Sequence, residues 1–257
     1  MLIDTHAHLN FPAFKNDAEE VIKRSLNNNV WLINVGSQYG TSKRAVEIAE
    51  EYKEGVYAAI GLHPIYAFEQ DGFQYEKYKE LAESKKVVAV GEIGLDYKAE
   101  YVLFKEKQKE VFLKQIDLTR ELDLPIIFHC RMAHHDLLDI IDANLRGVIH
   151  CFTGTWEEAQ RYLEMGFYLG FNGIIFKLNL DEIIQKAPLE KILVETDCPF
   201  LTPPQEEGPA SAKSSAGKRN EPFFVKYVAE KIAKIKGLGY KEISRVTTEN
   251  AKKLFKI

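Results

Sequence analysis

Short runs of apolar residues recur along the whole chain, and stretches with helical periodicity separate them. Most of these runs are nearly continuous in apolar residues, which is typical of parallel β-strands covered on both faces. The eight predicted strands span residues 2–5, 31–35, 56–60, 87–90, 126–128, 148–149, 167–169 and 192–194. The clearest predicted helices span residues 16–28, 41–53, 104–121, 156–165 and 180–186, and Gly36, Gly61, Gly91, Gly170 and Gly173 mark strand ends.

Eight strand–helix units in 257 residues predict an α/β fold, a single (β/α)8 TIM barrel that occupies residues 1–257 as one domain. A doubly wound open sheet is the alternative. The two architectures place function differently, because a barrel gathers side chains from many strand ends whereas an open sheet concentrates them at one switch point. The position of the polar residues therefore decides between them.

The segment 201–220 has a different character, because Pro, Gly, Ser and Ala dominate it and no periodicity is present. It follows the eighth predicted strand, so we expect it to lie over the mouth of the barrel. Long loops of this kind are often lids or binding loops, although a simple connector fits its middle equally well. Pro222 then begins a final predicted helix, with Phe224, Val225, Val228 and Ile232 on one face.

Composition restricts the protein to an ordinary globular class, with 46% hydrophobic and 28% charged residues. No run approaches the roughly 18 apolar residues of a membrane span, and we expect no signal peptide. The three cysteines cannot all pair within one chain, which favours a reducing, cytoplasmic location. The net charge of −4 provides no global attraction for nucleic acid, so recognition of a phosphodiester would have to be local.

The first predicted strand ends in two histidines. Asp4, His6 and His8 share one face of that strand, because side chains two residues apart point the same way. Two imidazoles on one face at a strand end form half of a site for a divalent metal ion. A His-x-His pair occurs often by chance, so the interpretation depends on the other strand ends.

Metal-ligating residue types follow most of the other predicted strands at their carboxyl ends. With His6 and His8 included, five of the seven histidines lie at the carboxyl end of a predicted strand. The proposed ligands are four histidines and two carboxylates: His6, His8, Glu92, His129, His150 and Asp197. Each has a simpler explanation taken alone, as a turn residue, a loop acid or a hydrogen-bonded core histidine. A shared metal centre explains them together and satisfies polar groups that would be costly to bury without partners.

Six ligands are too many for one tetrahedral ion and suit two divalent ions with a bridging carboxylate. Mixed imidazole and carboxylate ligation fits Zn²⁺ or Mn²⁺, and Co²⁺ or Fe²⁺ as well, whereas Mg²⁺ would bind such a set less tightly. Cys130 and Cys151 each follow a proposed ligand, so strand alternation predicts that both thiols point towards the helices. Asp4 and Glu195 are predicted to orient imidazoles by accepting hydrogen bonds.

These residues stand within a series of motifs that extends over essentially the whole chain. In order they are Ile3-Asp4-Thr5-His6-Ala7-His8-Leu9, Gly61-Leu62-His63-Pro64, Gly91-Glu92-Ile93-Gly94-Leu95-Asp96, His129-Cys130-Arg131, His150-Cys151-Phe152-Thr153-Gly154, Glu195-Thr196-Asp197 and Lys218-Arg219-Asn220-Glu221-Pro222. The series resembles that of the TatD family of metal-dependent deoxyribonucleases, which belong to the amidohydrolase-like barrels. Such a series is far more specific than His-x-His alone.

The resemblance implies a TIM barrel of the metallo-dependent hydrolase type and a hydrolytic centre with two divalent metal ions, Zn, Mn or Mg. By motif position His6, His8, Glu92 and Asp197 would bind one ion, and Glu92, His129 and His150 the other, with Glu92 bridging. It also implies cleavage of DNA phosphodiester bonds, commonly 3′ to 5′ on single strands or ends. Some members are described as removing D-amino acids from tRNA, so tRNA is a further candidate partner.

In this interpretation Asp197 and Glu92 carry the chemistry, with Asp197 accepting the proton of the attacking water. His63 and Arg131 lie just outside the metal set and are predicted to hold phosphate oxygens. Lys218 and Arg219 would add positive charge near the substrate. Tyr97 and Phe152 are candidates for stacking on a base, although packing explains aromatic residues near strand ends as well.

Two other classes of function remain open at this point. An amidohydrolase or esterase, such as a D-aminoacyl-tRNA deacylase, would use the same metal ligands. A non-catalytic binding barrel would require a defective ligand set, and none of the expected positions is missing. Oligomeric state is not readable from the sequence.

Overall fold

Eight parallel strands form a single sheet in which each strand pairs with its neighbours in chain order. The computed structural model describes residues 1–68, 72–206 and 219–257. Its strands are β1 (Leu2–Ala7), β2 (Val30–Val35), β3 (Val56–Ile60), β4 (Val87–Asp96), β5 (Ile126–Arg131), β6 (Gly147–Ile149), β7 (Tyr168–Phe171) and β8 (Ile192–Val194). The consecutive order confirms the predicted (β/α)8 barrel and excludes the doubly wound sheet, in which the strand order reverses.

The sheet closes where β1 meets the segment that follows β8. An isolated parallel bridge joins Ala7 to Cys198, the Asp197 N–H donates to the His6 carbonyl at 2.8 Å, and the His8 N–H donates to the Cys198 carbonyl at 3.0 Å. Side chains complete this seam, since Asp4 accepts hydrogen bonds from the backbone and hydroxyl of Thr196 at 2.8 and 2.6 Å. The barrel is therefore closed by a few specific bonds, in contrast to the regular ladders elsewhere.

Helices surround the sheet. Their bounds are α1 (Ala18–Asn27), α2 (Tyr39–Glu50), α3 (Tyr75–Leu81), α4 (Lys105–Leu122), α5 (His134–Ile140), α6 (Trp156–Glu164), α7 (Asp181–Lys186), α8 (Val225–Lys236) and α9 (Tyr240–Phe255). The five predicted helices are all present, and α6 begins after an N-cap, Thr155, whose side chain accepts a hydrogen bond from the Glu158 N–H. None of the described helices is long and apolar enough to cross a membrane.

The prediction that the helix after Pro222 is the last one was wrong. Pro222–Phe224 form a 3₁₀ turn, α8 begins at Val225, and α9 follows as a second helix. Ala251, Leu254 and Phe255 of α9 pack against the inward-facing side chains of the strands and belong to the same buried cluster. The last helix thus completes the barrel interior.

Gly91 does not end a strand, although its position suggested it. β4 continues through Gly91 and Gly94 to Asp96, and neighbouring atoms of β5 leave no room for a side chain at either glycine. A Cβ on Gly91 would lie 2.6 Å from the Ile127 Cβ, and one on Gly94 would lie 2.1 Å from the His129 carbonyl oxygen. These glycines therefore bring β4 and β5 close together below the site.

The prediction of a lid or binding loop at 201–220 falls partly outside the described residues, which omit 207–218. The flanking residues are firmly attached. Glu206 accepts a hydrogen bond from the Tyr227 hydroxyl at 2.7 Å. Arg219 binds Asp17 through both terminal nitrogens at 3.1 and 2.5 Å, and its guanidinium lies 3.9 Å from the centre of the Phe14 ring.

Candidate metal centre

His6 and His8 extend from the end of β1 into the mouth of the barrel, and both are buried. Their Nε2 atoms are 3.1 Å apart. The Nδ1 atom of His8 lies 2.8 Å from the Val35 carbonyl oxygen. Because a carbonyl oxygen can only accept, this contact places the His8 proton on Nδ1 and leaves the Nε2 lone pair facing the cluster.

Glu92, on β4, lies at the centre of the imidazoles. Its Oε2 atom is 3.5 Å from Nε2 of His6. Its Oε1 atom is 2.5 Å from Nδ1 of His129, 3.6 Å from Nε2 of His63 and 3.7 Å from Nε2 of His150. The two carboxylate oxygens therefore face different groups of histidines, which is the arrangement that a bridging ligand requires.

A carboxylate lies behind His129, which is on β5. The buried Asp96 has its Oδ2 atom 3.1 Å from Nε2 of His129 and also binds Arg131, whose Nη2 atom is 2.8 Å away. The Asp96 N–H is in turn bound by the amide oxygen of Gln108 at 2.8 Å. Asp96 thus orients His129, a role that we did not assign from the sequence although the motif contained the residue.

His150, after β6, has a similar partner. Its Nδ1 atom lies 2.8 Å from Oε1 of Glu195, and its Nε2 atom faces Asp197 Oδ2 at 4.0 Å. The same Glu195 oxygen accepts hydrogen bonds from the Cys151 N–H at 2.7 Å and from Asn172 at 3.2 Å. The predicted orienting role of Glu195 fits this geometry.

The corresponding prediction for Asp4 was wrong. Its carboxylate contacts no imidazole and accepts hydrogen bonds from Thr196 and from the backbone of His6. The register of β1 beside the chain after β8 directs this side chain to the seam of the barrel.

Asp197 directs its carboxylate into the cluster from the chain that follows β8. Oδ1 lies 3.4 Å from Nε2 of His8 and 4.0 Å from Nε2 of His6. The backbone at Asp197 is in the left-handed region, with φ of 57°, and its N–H is bound to the His6 carbonyl. Such a conformation is uncommon for residues other than glycine and is often found at functional sites.

His63, after β3, joins this cluster more closely than predicted. Its Nε2 atom is 3.1 Å from Nδ1 of His129, so it shares the space in front of Glu92 with a proposed metal ligand. From the sequence we predicted that His63 lies outside the metal set as a substrate contact. The geometry admits both roles, because His63, Glu92 and His129 offer ligand atoms within 4.8 Å of one another.

Protonation in the cluster is strongly perturbed. Burial alone would raise the pKa of Glu92, but His63, His129, His150 and His6 hold it well below its usual range. Burial and the stacked His150 ring, 3.5 Å away, lower the pKa of His6 to about 4. Burial also disfavours charge on His150, yet Glu195 and Glu92 raise its pKa to about 10. The lowered pKa of Glu92 and the raised pKa of His150 both indicate that positive charge beside these carboxylates is favourable.

A divalent cation fits this donor set. Among the described residues, three groups of side chains bring ligand atoms within 4.8 Å of one another: His6 with His8 and Glu92, His63 with Glu92 and His129, and His6 with His150 and Glu195. Two pairs of imidazole nitrogens, in His6 with His8 and in His63 with His129, lie 3.1 Å apart. Two N–H groups cannot face each other at this distance, whereas two nitrogen lone pairs can bind one ion. A bound cation would also place positive charge beside the carboxylates, so the histidines could remain neutral.

The residues predicted to contact the substrate do not all lie at the cavity. Arg131 lines the cavity above the cluster, but Arg219 points away from it and is held by Asp17. Lys218 lies outside the described residues. Phe152 is fully buried in the core and has no surface on which a base can stack, and the Tyr97 hydroxyl binds Asp136 at 2.7 Å. The substrate roles of His63, Arg131, Lys218 and Arg219 stay predictions.

The cysteine prediction was correct for Cys130 and wrong for Cys151. The Cys130 thiol is buried beside His134 and Tyr162, towards the helices. The Cys151 thiol instead lies 3.5 Å from the amide oxygen of Asn172, which binds Glu195, and the backbone at Cys151 adopts a left-handed conformation with φ of 47° that interrupts strand alternation. All three cysteines lie in the described part of the chain and are unpaired.

A cavity of about 470 Å³ opens above the cluster, with the histidines and carboxylates as its floor. Its walls are largely apolar and include Phe11, Ile65, Tyr66, Ile174, Phe200 and Leu201. We did not predict Phe11 and Phe200 from the sequence. Each follows a proposed ligand by three residues, and this spacing is the signal that could have identified them. The cavity gives a substrate direct access to the carboxylates.

The barrel and the cluster at its carboxyl-terminal end define the class of protein, a metal-dependent hydrolase. Comparison with known proteins agrees with this class. The family model described as TatD related DNase matches residues 3–256, and the chain belongs to this family. The resemblance inferred from the motifs is therefore confirmed.

Individual relatives cover the full chain. An uncharacterized metal-dependent hydrolase of Bacillus subtilis, YabD, is 44% identical, with all of both chains aligned. A protein of Pantoea ananatis named 3′-5′ ssDNA/RNA exonuclease TatD is 32% identical over 99% of each chain. The crystal structure of the TatD homologue YjjV from Escherichia coli superposes with a TM-score of 0.85 at 28% identity, covering 100% of this chain and 98% of that one.

Proposed function

We propose that the protein is a nuclease that cleaves DNA phosphodiester bonds, as a 3′–5′ exonuclease, with two divalent metal ions. The observation that carries the proposal is the position of Glu92, whose two carboxylate oxygens face separate groups of imidazoles across the floor of an open cavity. The name of the Pantoea relative supports the choice of nucleic acid as the substrate.

Each ion would be held by residues from different strands. His6, His8 and Asp197 would hold one ion, and His129 and His150 the other, with Glu92 between them. Zn²⁺ and Mn²⁺ suit this mixed set better than Mg²⁺, which prefers oxygen ligands. When bound, the ions acidify water and neutralise the charge of the scissile phosphate.

Asp197 would accept the proton of the attacking water. Imidazoles of His8 and His150 hold the pKa of this buried carboxylate below its ordinary value, although burial alone would raise it. It therefore remains ionised at neutral pH and able to accept a proton. Arg131 and His63, which both line the cavity, would contact phosphate oxygens.

The test uses purified protein stripped of metal and then reloaded with Zn²⁺, Mn²⁺ or Mg²⁺. We expect cleavage of end-labelled single-stranded DNA from its 3′ end and its loss in Glu92→Ala and Asp197→Ala. Circular dichroism should show that both variants remain folded. Undiminished activity in either variant would contradict the proposed roles of these carboxylates.

A substrate panel separates this proposal from the alternatives. Single-stranded DNA, RNA, D-aminoacyl-tRNA and simple carboxylic esters would be compared at equal metal content. A deacylase would release amino acid from tRNA without shortening DNA. Metal analysis that finds no divalent ion at saturating supply would instead favour a binding barrel.

A further inference from the structure

Two phenylalanine rings flank His8 at the mouth of the cavity. The Phe11 ring is stacked on the imidazole, with centroids 4.3 Å apart and an angle of 17° between the planes. The Phe200 ring meets the same imidazole edge-on, with centroids 6.4 Å apart. Both rings therefore lie beside a proposed metal ligand, on the cavity that would receive the scissile phosphate.

Phe200 is exposed although its backbone is fixed. Its relative exposure is 53%, whereas its N–H donates to the Asp197 carbonyl at 2.9 Å. Its own carbonyl accepts a hydrogen bond from the buried Asn220 at 2.6 Å, and Asn220 also binds the Thr196 carbonyl at 3.0 Å. Hydrogen bonds from the Phe200 backbone to Asp197, a proposed metal ligand, and to Asn220 thus hold a large apolar ring in solvent beside the site.

Positive side chains contribute little to the same cavity. Among the described residues that line it, Arg131 is the only Lys or Arg, and Asp96 already binds its guanidinium. Proteins that hold single strands without sequence preference combine backbone charge with aromatic stacking. With so little side-chain charge available, the aromatic component has to carry more of the recognition.

We infer that Phe11 and Phe200 form a subsite that binds a nucleobase by stacking, next to the phosphate that is cleaved. The inference rests on the proposed function and extends it to the part of the nucleotide that the metal ligands do not touch. A base unpaired from its complement offers a free face to these rings, whereas a base within a duplex is already stacked on both sides. The subsite would therefore favour frayed or single-stranded ends.

The experiment compares two oligonucleotides that differ only in whether the two 3′-terminal residues carry bases or are abasic. For the wild type we expect kcat/KM to be about 10-fold lower on the abasic strand, since base–aromatic stacking is lost. Phe200→Ala should lower kcat/KM about 10-fold on the base-bearing strand and leave the abasic strand nearly unchanged. Phe200→Trp should restore most of the difference between the two strands.

Controls separate stacking from general damage. Leu103→Ala removes an apolar side chain that is 79% exposed and does not line the cavity, so both strands should be cleaved as by the wild type. Phe11→Ala should weaken the discrimination in the same direction as Phe200→Ala. An equal loss on both strands in Phe200→Ala would mean that the ring only supports the backbone of the site, and the inference would be overturned.

A binding measurement keeps the inference testable if cleavage fails. Fluorescence anisotropy with metal-loaded wild type, on strands whose 3′-terminal linkages are phosphorothioates to slow cleavage, should show about 10-fold tighter binding of the base-bearing strand than of the abasic strand, and Phe200→Ala should abolish the difference. Absence of cleavage together with this discrimination would reject the proposed nuclease activity alone. Equal binding of both strands by the wild type would reject the stacking subsite.

Discussion

The Asp96 carboxylate touches Nε2 of His129 at 3.1 Å, while Nδ1 of the same ring faces Glu92 at 2.5 Å. An ionised carboxylate only accepts hydrogen bonds, so Asp96 holds the His129 proton on Nε2 and turns the Nδ1 lone pair towards the cluster. The aspartate is kept ionised by His129 and Arg131, which hold its pKa below the ordinary range despite the burial that would raise it.

Replacing this aspartate should weaken metal binding without removing a ligand. We expect Asp96→Asn to lower the affinity for Zn²⁺ or Mn²⁺ by about 10- to 100-fold, because an amide can also donate and no longer fixes the tautomer. Competition with a chromophoric chelator measures the affinity directly. Asp139→Asn, at a largely exposed position on α5, is the matched control and should bind metal as the wild type does. Equal affinities in the two variants would show that Asp96 does not orient the ligand.

Metal removal should destabilise the whole domain. The carboxylates of Glu92 and Asp197 lie among imidazoles that a cation would hold neutral, and any ligand that binds only the folded state stabilises it. At a free metal concentration about 100 times its Kd, the stabilisation is about 2.7 kcal/mol per site. Thermal unfolding of stripped and reloaded protein should show Tm rising with metal concentration. A Tm that is independent of metal would contradict the assignment.

Gly94 should tolerate no side chain. Its φ of 145° is a conformation that other residues rarely adopt, and an added Cβ would lie 2.1 Å from the His129 carbonyl oxygen. We expect Gly94→Ala to cost about 3 kcal/mol or more in unfolding free energy and to displace His129. Gly40→Ala is the control, because a Cβ meets no atom within 4 Å there and the residue is helical, so urea unfolding should show no loss of stability.

The pair of Asp17 and Arg219 should stabilise the protein in a pH-dependent way. Arg219 lowers the pKa of Asp17, so the stabilisation is fully present above the pKa of the unfolded aspartate and is lost as pH falls through the folded value. Both side chains are partly exposed, so the pair should contribute about 0.5–1 kcal/mol. In urea unfolding Asp17→Asn should be less stable than the wild type at pH 7, and the difference should shrink towards zero in acid. A constant difference would show that charge is not its source.

Sequence patterns predicted most of the fold because parallel strands are marked by apolar runs. They also placed His6, His8, Glu92 and Asp197 together, since the carboxyl ends of barrel strands converge at one rim. Errors arose where the backbone departs from regular alternation. The left-handed conformation at Cys151 and the continuation of β4 through Gly91 both depend on neighbouring strands, which a local pattern does not contain.

The orienting contacts were the least predictable part of the site. Asp96 and His129 are 33 residues apart, and their contact follows from the register between β4 and β5. Likewise, the proximity of His63 to His129 depends on how the turn after β3 folds over the barrel mouth. We did not predict α9 from the sequence. Its buried residues pack against strands that are distant in the sequence, and helical periodicity carries no information about such contacts.

The seam of the barrel coincides with the proposed metal centre. His6 and His8 belong to the first strand and Asp197 follows the last, and the bonds that join these segments span as many as 192 residues of sequence. A cation bound by residues from both segments would therefore close a very long loop of the chain. Its effect on the entropy of the unfolded state would be comparable to that of a disulfide. The joint between the first and last strands, which a few isolated bonds close in the polypeptide, would then be secured by the proposed metal ions.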